Sequence, residues 1–170
     1  MTDPVARIAS QWRERLPDLD TGPLLVVGRI QRLATRWDGL LRSPFAEVGL
    51  ASGDFDVLAA LRRAGEALTP AQLAAEMLVT AGAVTKRVDR LLAAGLVSRS
   101  RSTSDGRGRL IQLTAKGRRL TDRLIGKHMG NEARLLTALD PSEQQALASL
   151  LSRLLLDVEQ QPRPAARSTT

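Results

Sequence analysis

Between Ala81 and Arg123 the sequence carries eleven basic residues: Lys86, Arg87, Arg90, Arg99, Arg101, Arg107, Arg109, Lys116, Arg118, Arg119 and Arg123. Three acids share the segment, Asp89, Asp105 and Asp122, so it holds an excess of eight positive charges. The whole chain has 25 Lys and Arg against 18 Asp and Glu, a net of +7, which leaves everything outside the segment at −1. A basic excess confined to one segment is what a surface that meets a phosphate backbone requires, whereas evenly spread charge would indicate solubility alone. Small and hydroxylic residues, Thr80, Gly82, Ala83 and Thr85, are interleaved with the cations. The small ones let backbone approach a groove closely, while Lys and Arg reach phosphates or base edges.

The elements that position these residues follow from local signals. Thr69-Pro70-Ala71-Gln72 is a capping box with Pro at the first helical position, and it opens a short helix to about Met77. A turn over Leu78–Thr80 leads to a second helix over Ala81–Ala94, which Gly95 stops. Strands are predicted over Val97–Arg101 and Leu110–Leu113, joined by a loop rich in Arg, Ser and Gly. Two short helices across a tight turn, then a basic hairpin, form a winged helix-turn-helix that reads duplex DNA. At ~100° per residue, Val84, Val88, Leu91 and Leu92 share one side of the second helix, with Gly82, Ala83, Lys86, Asp89 and Arg90 opposite. The candidate DNA contacts are Thr80, Gly82, Ala83, Thr85, Lys86 and Arg90 on the helix and Arg101, Asp105, Arg107 and Arg109 on the hairpin. Arg87 lies beside the apolar stripe and is placed to face inward.

The remaining chain reads as helical. Asp3-Pro4 opens a first helix with Val5, Ile8, Ala9, Trp12 and Leu16 on one face. Pro23 starts a long helix to about Arg42, with Leu25, Ile30, Leu33, Trp37, Leu40 and Leu41 as buried candidates and Pro44 as its end. Ser52 is expected to cap a third helix carrying Phe55, Leu58 and Leu61, stopped by Gly65. Thr114 caps a long helix to about Leu139, and Asp140-Pro141-Ser142-Glu143 opens a last one with Leu147, Leu150, Leu151, Leu154, Leu155 and Val158. Two long apolar helices at the end of a small chain predict a dimer interface, with burial inside one subunit as the alternative. The expected organisation is residues 1–50 as N-terminal helices for dimerisation and pocket scaffold, 51–114 as the winged helix-turn-helix, 115–160 as dimerisation helices and 161–170 as a flexible tail.

Composition narrows the function. Apolar residues at 43% and charged residues at 25% describe a globular chain, not a disordered one. Aromatics are 2% with no Tyr, which disfavours stacking on single-stranded bases. With no Cys and one His, His128, there is no material for disulfides, thiol redox sensing or a Cys- or His-built metal site, so no metal and no cofactor are expected. His128 is expected on a solvated or interface face, and Trp37 and Phe55 in packing. No catalytic Ser/His/Asp or Cys/His set and no glycine-rich phosphate loop is present, so no enzyme is expected. No signal peptide or spanning segment is read, and a cytoplasmic, nucleoid-associated protein is expected.

The segments FDVLAALRR, LTPAQLAAEM, TKRVDRLLAAGLVSR and DGRGRLIQLT resemble the MarR family of bacterial transcription regulators. The most specific part is the wing pattern of Asp105 and Arg107 followed by a strand ending in Leu113-Thr114. The resemblance implies a mainly α fold with a small β-hairpin wing, in a winged helix-turn-helix dimer on a pseudo-palindromic operator, with the wing arginine in the minor groove. QWRERLPDLD ahead of the long helix resembles the branch of urate-responsive and pectinase-regulator (PecS) type members, which adds an N-terminal helix. That likeness implies a ligand site of Trp12, Asp56, Arg87 and Arg99, and a repressor whose DNA affinity falls with a small anionic ligand such as urate or xanthine. Two guanidiniums and a carboxylate about an aromatic plate suit such a ligand. Trp12 could instead be core, Asp56 a first-turn acid complementing the helix dipole, and Arg99 a phosphate contact. A repressor responding to phenolic or drug-like molecules, and an architectural DNA binder without effector, share the DNA-binding features.

Overall fold

The computed structural model describes residues 2–77, 79–101 and 109–161, and of Ser43, Ala81 and Arg101 the backbone. Asp105 and Arg107 lie outside these residues, as does nearly all of the expected flexible tail. The elements run α1 (Pro4–Arg15), α2 (Gly22–Ala46), α3 (Ser52–Ala64), α4 (Pro70–Glu76), α5 (Ala81–Ala93), β1 (Val97–Arg101), β2 (Arg109–Leu113), α6 (Ala115–Leu135) and α7 (Pro141–Gln160). They fall into two compact units, Met1–Asn131 and Glu132–Thr170.

Within the first unit the helix starts follow their caps. The Asp3 carboxylate accepts from the Val5 and Ala6 amides and also takes the Arg29 fork, which holds its carboxyl below the usual range. Thr69 and Gln72 exchange both bonds of the capping box, at 3.2 and 2.8 Å. Three expectations need correction. The cap of α3 is Ala51, which has no acceptor, and Ser52 is already helical; the Asp54 carboxylate reaches back to the Ala51 amide instead. α2 does not stop at Pro44 but runs to Ala46. Near a C-terminus a proline disturbs only the turn behind it, and Phe45, 4% exposed, anchors the last turn. α6 ends at Leu135, short of the expected Leu139.

The core of this unit is built by α3, α4, α5 and the hairpin: Val57, Leu58, Leu61, Leu73, Val84, Val88, Leu91, Val97 and Ile111 are buried together. β1 and β2 pair antiparallel from Val97 opposite Leu113 to Arg101 opposite Arg109, and Ile111 also bridges to Leu68. A second cluster joins α2, α3 and α6, where the Phe45 and Phe55 rings stack at 4.1 Å beside Leu124. His128, expected on a solvated or interface face, is half-buried against both rings, at 5.4 and 5.7 Å. The apolar face expected of α1 and the buried positions expected of α2 are only partly covered. Val5 and Ala9 are covered, but Ile8, Trp12, Ile30, Leu33 and Leu40 are exposed in the single chain.

In the second unit Asp140 caps α7, accepting from Ser142 and Glu143, and Gln144 donates to the Leu136 and Leu139 carbonyls. α7 has no buried residue, and its large apolar side chains are 37 to 63% exposed.

The join between α5, the hairpin and α6 is close. Thr114 Oγ1 donates to the Gly95 and Leu96 carbonyls and accepts from the Gly117 amide, while Lys116 donates to the Ala94 carbonyl at the end of α5. A Cβ at Gly117 would lie 1.9 Å from the Leu96 carbonyl oxygen. Ala normally favours a helix over Gly, but this clash is with backbone and dominates. Gly117→Ala is therefore expected to lower stability by about 1–3 kcal/mol, read as a lower urea midpoint at unchanged slope. An unchanged midpoint would show that α6 moves off the hairpin without cost.

Candidate nucleic-acid interface and ligand site

α5 exists as a helix because Thr80 caps it, its side chain accepting from the Ala83 amide at 3.4 Å, and because Val84, Val88 and Leu91 bury one stripe against α3 and α4. That burial leaves Gly82, Thr85, Lys86, Asp89 and Arg90 exposed and Ala83 partly so. Thr80 thus has a capping role, whatever else it meets. Lys86 takes part in no ion pair among the described residues. At the far end of the ladder Arg101 and Arg109 stand in register.

Arg90 does not hang free over the groove-facing side. Its Nη2 and Nε donate to Asp54 Oδ1 and Oδ2 at 2.5 and 3.2 Å. The Asp54 side chain is 5% exposed, and its carboxylate holds the Arg90 guanidinium above its usual pKa. Arg99 Nη2 donates to Asp89 Oδ1 at 3.0 Å, tying β1 to α5. The reading helix is therefore pinned from two sides, by α3 and by the wing.

Arg87 faces α3 as its position beside the apolar stripe implies. Its side chain is 23% exposed, Nη1 lies 3.8 Å from Asp56 Oδ2, and Nη1 is buried with no hydrogen-bond partner among the described residues. The guanidinium lies over Gly53: a Cβ there would come within 2.5 Å of Arg87 Cζ. Asp56 also lines a cavity of about 440 Å³ with Phe55, Ala59, Met77, Ile125 and His128 among its walls. Partial burial raises the Asp56 carboxyl above its ordinary value, against the pull of Arg87, although the side chain is still 55% exposed, which keeps the effect small.

Of the four expected ligand residues, the single chain brings together two, Asp56 and Arg87. Trp12 is 48% exposed on α1 and lines no described cavity with them, and Arg99 is engaged by Asp89. Gly53 and Asp54 escaped the sequence reading. The signal was an acid in the first turn of α3 behind a residue that cannot cap. No group of three or more His, Cys, Asp or Glu that could hold a metal is found among the described residues. None of their helices is long and apolar enough to cross a membrane.

A helix-turn-helix followed by a two-stranded hairpin bearing Arg99, Arg101 and Arg109 defines a winged helix-turn-helix protein. The MarR family profile matches residues 48–108. The chain is 36% identical over 152 residues to the HTH-type transcriptional regulator PecS of Dickeya dadantii, covering 88% of this chain and 92% of that one. It is 30% identical over 136 residues to the multiple antibiotic resistance protein MarR of Salmonella typhimurium, covering 78% and 92%. Among solved structures it is similar to Bordetella bronchiseptica BpsR, whose DNA binding is regulated by 6-hydroxynicotinic acid, with a TM-score of 0.66 at 25% identity over 76% of this chain and 98% of BpsR. It is also similar to a mutant Escherichia coli MarR complexed with operator DNA, with a TM-score of 0.64 at 28% identity over 85% and 97%. The chain belongs to the MarR family of winged-helix transcription regulators. Its relatives are regulators, not enzymes.

The Asp56 environment sets a pH test. Its folded pKa lies above the unfolded value, so the fold holds the proton more tightly than the unfolded chain does. The stability this group contributes is present in acid and lost as pH rises through the folded pKa. Asp56→Asn is expected to raise Tm slightly relative to the parent at pH 7, with the difference closing as pH falls below about 3, where the carboxyl is protonated in both states. A difference that widens in acid would mean that attraction to Arg87 outweighs burial.

Proposed function

We propose that two copies of this chain form a repressor that binds a pseudo-palindromic operator, and that a small, planar, anionic ligand lowers its affinity for DNA. Urate or a related purine is the first candidate. The DNA-binding half is supported by the exposed face of α5 with Lys86 at its centre, by the excess of eight positive charges between Ala81 and Arg123, and by the relative solved on operator DNA. Arg101, Asp105, Arg107 and Arg109 are the wing contacts of this reading, Asp105 and Arg107 lying outside the described residues. Pairing is supported by the leucine-rich α7 and by exposed Ile30, Leu33 and Leu40 on α2, apolar surface too extensive to be left to water.

The observation that carries the ligand half is Arg87. A buried guanidinium nitrogen without an acceptor is costly, and an anion or carbonyl oxygen at that point relieves it. The neighbouring Asp56 carboxylate, its pKa raised by burial, accepts from a ring N–H. A flat heterocycle with adjacent N–H and O⁻ edges meets both. The ligand of BpsR, a planar heteroaromatic acid, belongs to the same broad class. Trp12 and Arg99 complete the site in this reading, Arg99 by exchanging Asp89 for ligand. The apolar side of the cavity, Phe55, Ala59, Met77 and Ile125, favours a second reading in which a phenolate is the effector.

Titration of an operator-bearing duplex with and without urate or xanthine tests the proposal. A purine effector lowers affinity by about 5–150-fold, and Arg87→Ala or Gly53→Ala, which displaces the guanidinium, blunts that change. If salicylate-like phenolates act and purines do not, the second reading replaces the first. If operator affinity is the same at saturating levels of both classes, the ligand half fails. Lys86→Ala is expected to weaken binding and reduce the slope of log affinity against log salt by about 1; an unchanged slope would remove Lys86 from the phosphate contacts.

A further inference from the structure

Arg90 sits where a base-reading residue would sit, yet its side chain is already committed. Nε and Nη2, one of the two donor edges with which a guanidinium grips a guanine or a carboxylate, both point at Asp54. Asp54 is a buried carboxylate that the fold tolerates because this cation meets it. The commitment follows from the N-terminus of α3. An ordinary first-turn acid there would share a capping box with a Ser or Thr, but Ala51 has no side-chain acceptor and its amide reaches Asp54 at 3.4 Å. The carboxylate is left to the arginine on α5, 36 residues away in sequence.

The apolar stripe of α5 is not directional: Val84, Val88 and Leu91 hold the helix onto the core but permit small rolls and slides. A two-bond ion pair is directional and fixes both. We infer that Arg90 is a positioning residue and Asp54 its anchor, and that the pair sets the roll and depth at which α5 presents Lys86, Thr85 and Gly82 to a major groove. The inference rests on the DNA-binding reading above and goes beyond it in taking Arg90 out of the set that touches bases. It also gives the ligand reading a fixed point. Arg87 and Arg90 lie one turn apart on α5 and both face the first turn of α3, one incompletely bonded over Gly53, the other locked to Asp54.

The test compares Asp54→Asn, Arg90→Ala, Arg90→Lys and the double variant Asp54→Asn/Arg90→Ala, each measured for Tm, for affinity to operator and random duplex, and for salt slope. Arg90→Lys keeps a cation beside Asp54 and the double variant removes both charges, so these two remain measurable should a single variant that leaves one charge of the pair fold poorly. If the pair positions the helix, Asp54→Asn and Arg90→Ala each lower operator affinity on the order of tenfold, the loss of about one well-made base contact. Random-duplex affinity and salt slope stay as in the parent, and the double variant is no worse than either single one. Arg90→Lys keeps the charge but not the fork, and falls with Arg90→Ala. The inference is overturned if Arg90→Ala lowers the slope by about 1 and weakens both duplexes equally while Arg90→Lys restores binding, which makes Arg90 a phosphate contact. It is equally overturned if the variants lose Tm but bind operator as the parent does, which makes the pair structural. A parent protein that binds no duplex at all would instead refute the reading beneath it.

Discussion

The contact between α3 and α5 is the constraint on which the rest depends. An isolated helix as short as α5 is marginal in water, and what holds it is a stripe of Val84, Val88 and Leu91 pressed onto Val57, Leu58 and Leu61. That burial decides which residues remain outside, and so which side chains a DNA duplex could meet. The same contact carries the two arginine ties to the first turn of α3. The hairpin is secondary to it: β2 lies on this core through Ile111, and Arg99 reaches back to Asp89. Gly117 then sets α6 against Leu96 at the end of the same packed block.

Seen this way, the cavity and the reading helix share a wall. α3 supplies Phe55, Asp56 and Ala59 to the cavity on one flank and Gly53, Asp54 and Asp56 to the α5 arginines on the other. In the proposed mechanism a ligand needs to alter no fold. It engages Arg87, the less fully bonded of two ties, and turns the helix about the other, which remains in place as a pivot. A coupling of about 1–3 kcal/mol is the usual scale for such an exchange of contacts, and it is comparable to what one buried, poorly bonded guanidinium nitrogen costs.

Much of this was legible in the chain because it is written locally. Asp3, Thr69 and Asp140 announce helix starts through bonds that span two or three residues, and the stripe of α5 follows from the period of a helix. Gly65 and Gly95 end helices at positive φ for reasons contained in a single residue. What stayed hidden depends on chain segments far apart. Nothing near Arg90 says that Asp54 will claim it, nothing near His128 says that two phenylalanines will flank it, and Ser52 resembles a cap until the register of α3 is known. The residues given the roles of ligand contacts divide on the same line: Asp56 and Arg87 meet through the α3–α5 contact, whereas Trp12 stands half-exposed on α1 and Arg99 is paired with Asp89. The leucines of α7 pointed to a covering surface, and the single chain leaves them exposed.

The central claim is that paired copies of this block present two α5 helices to one face of a duplex. Selecting bound duplexes from a randomised pool and weighing the recovered complex by native mass spectrometry tests it most directly. The account predicts an enriched inverted repeat with half-sites about 10–10.5 base pairs apart, roughly 34–36 Å, carrying two chains per duplex. Recovery of a single chain per duplex, or of no enriched sequence at all, would contradict it.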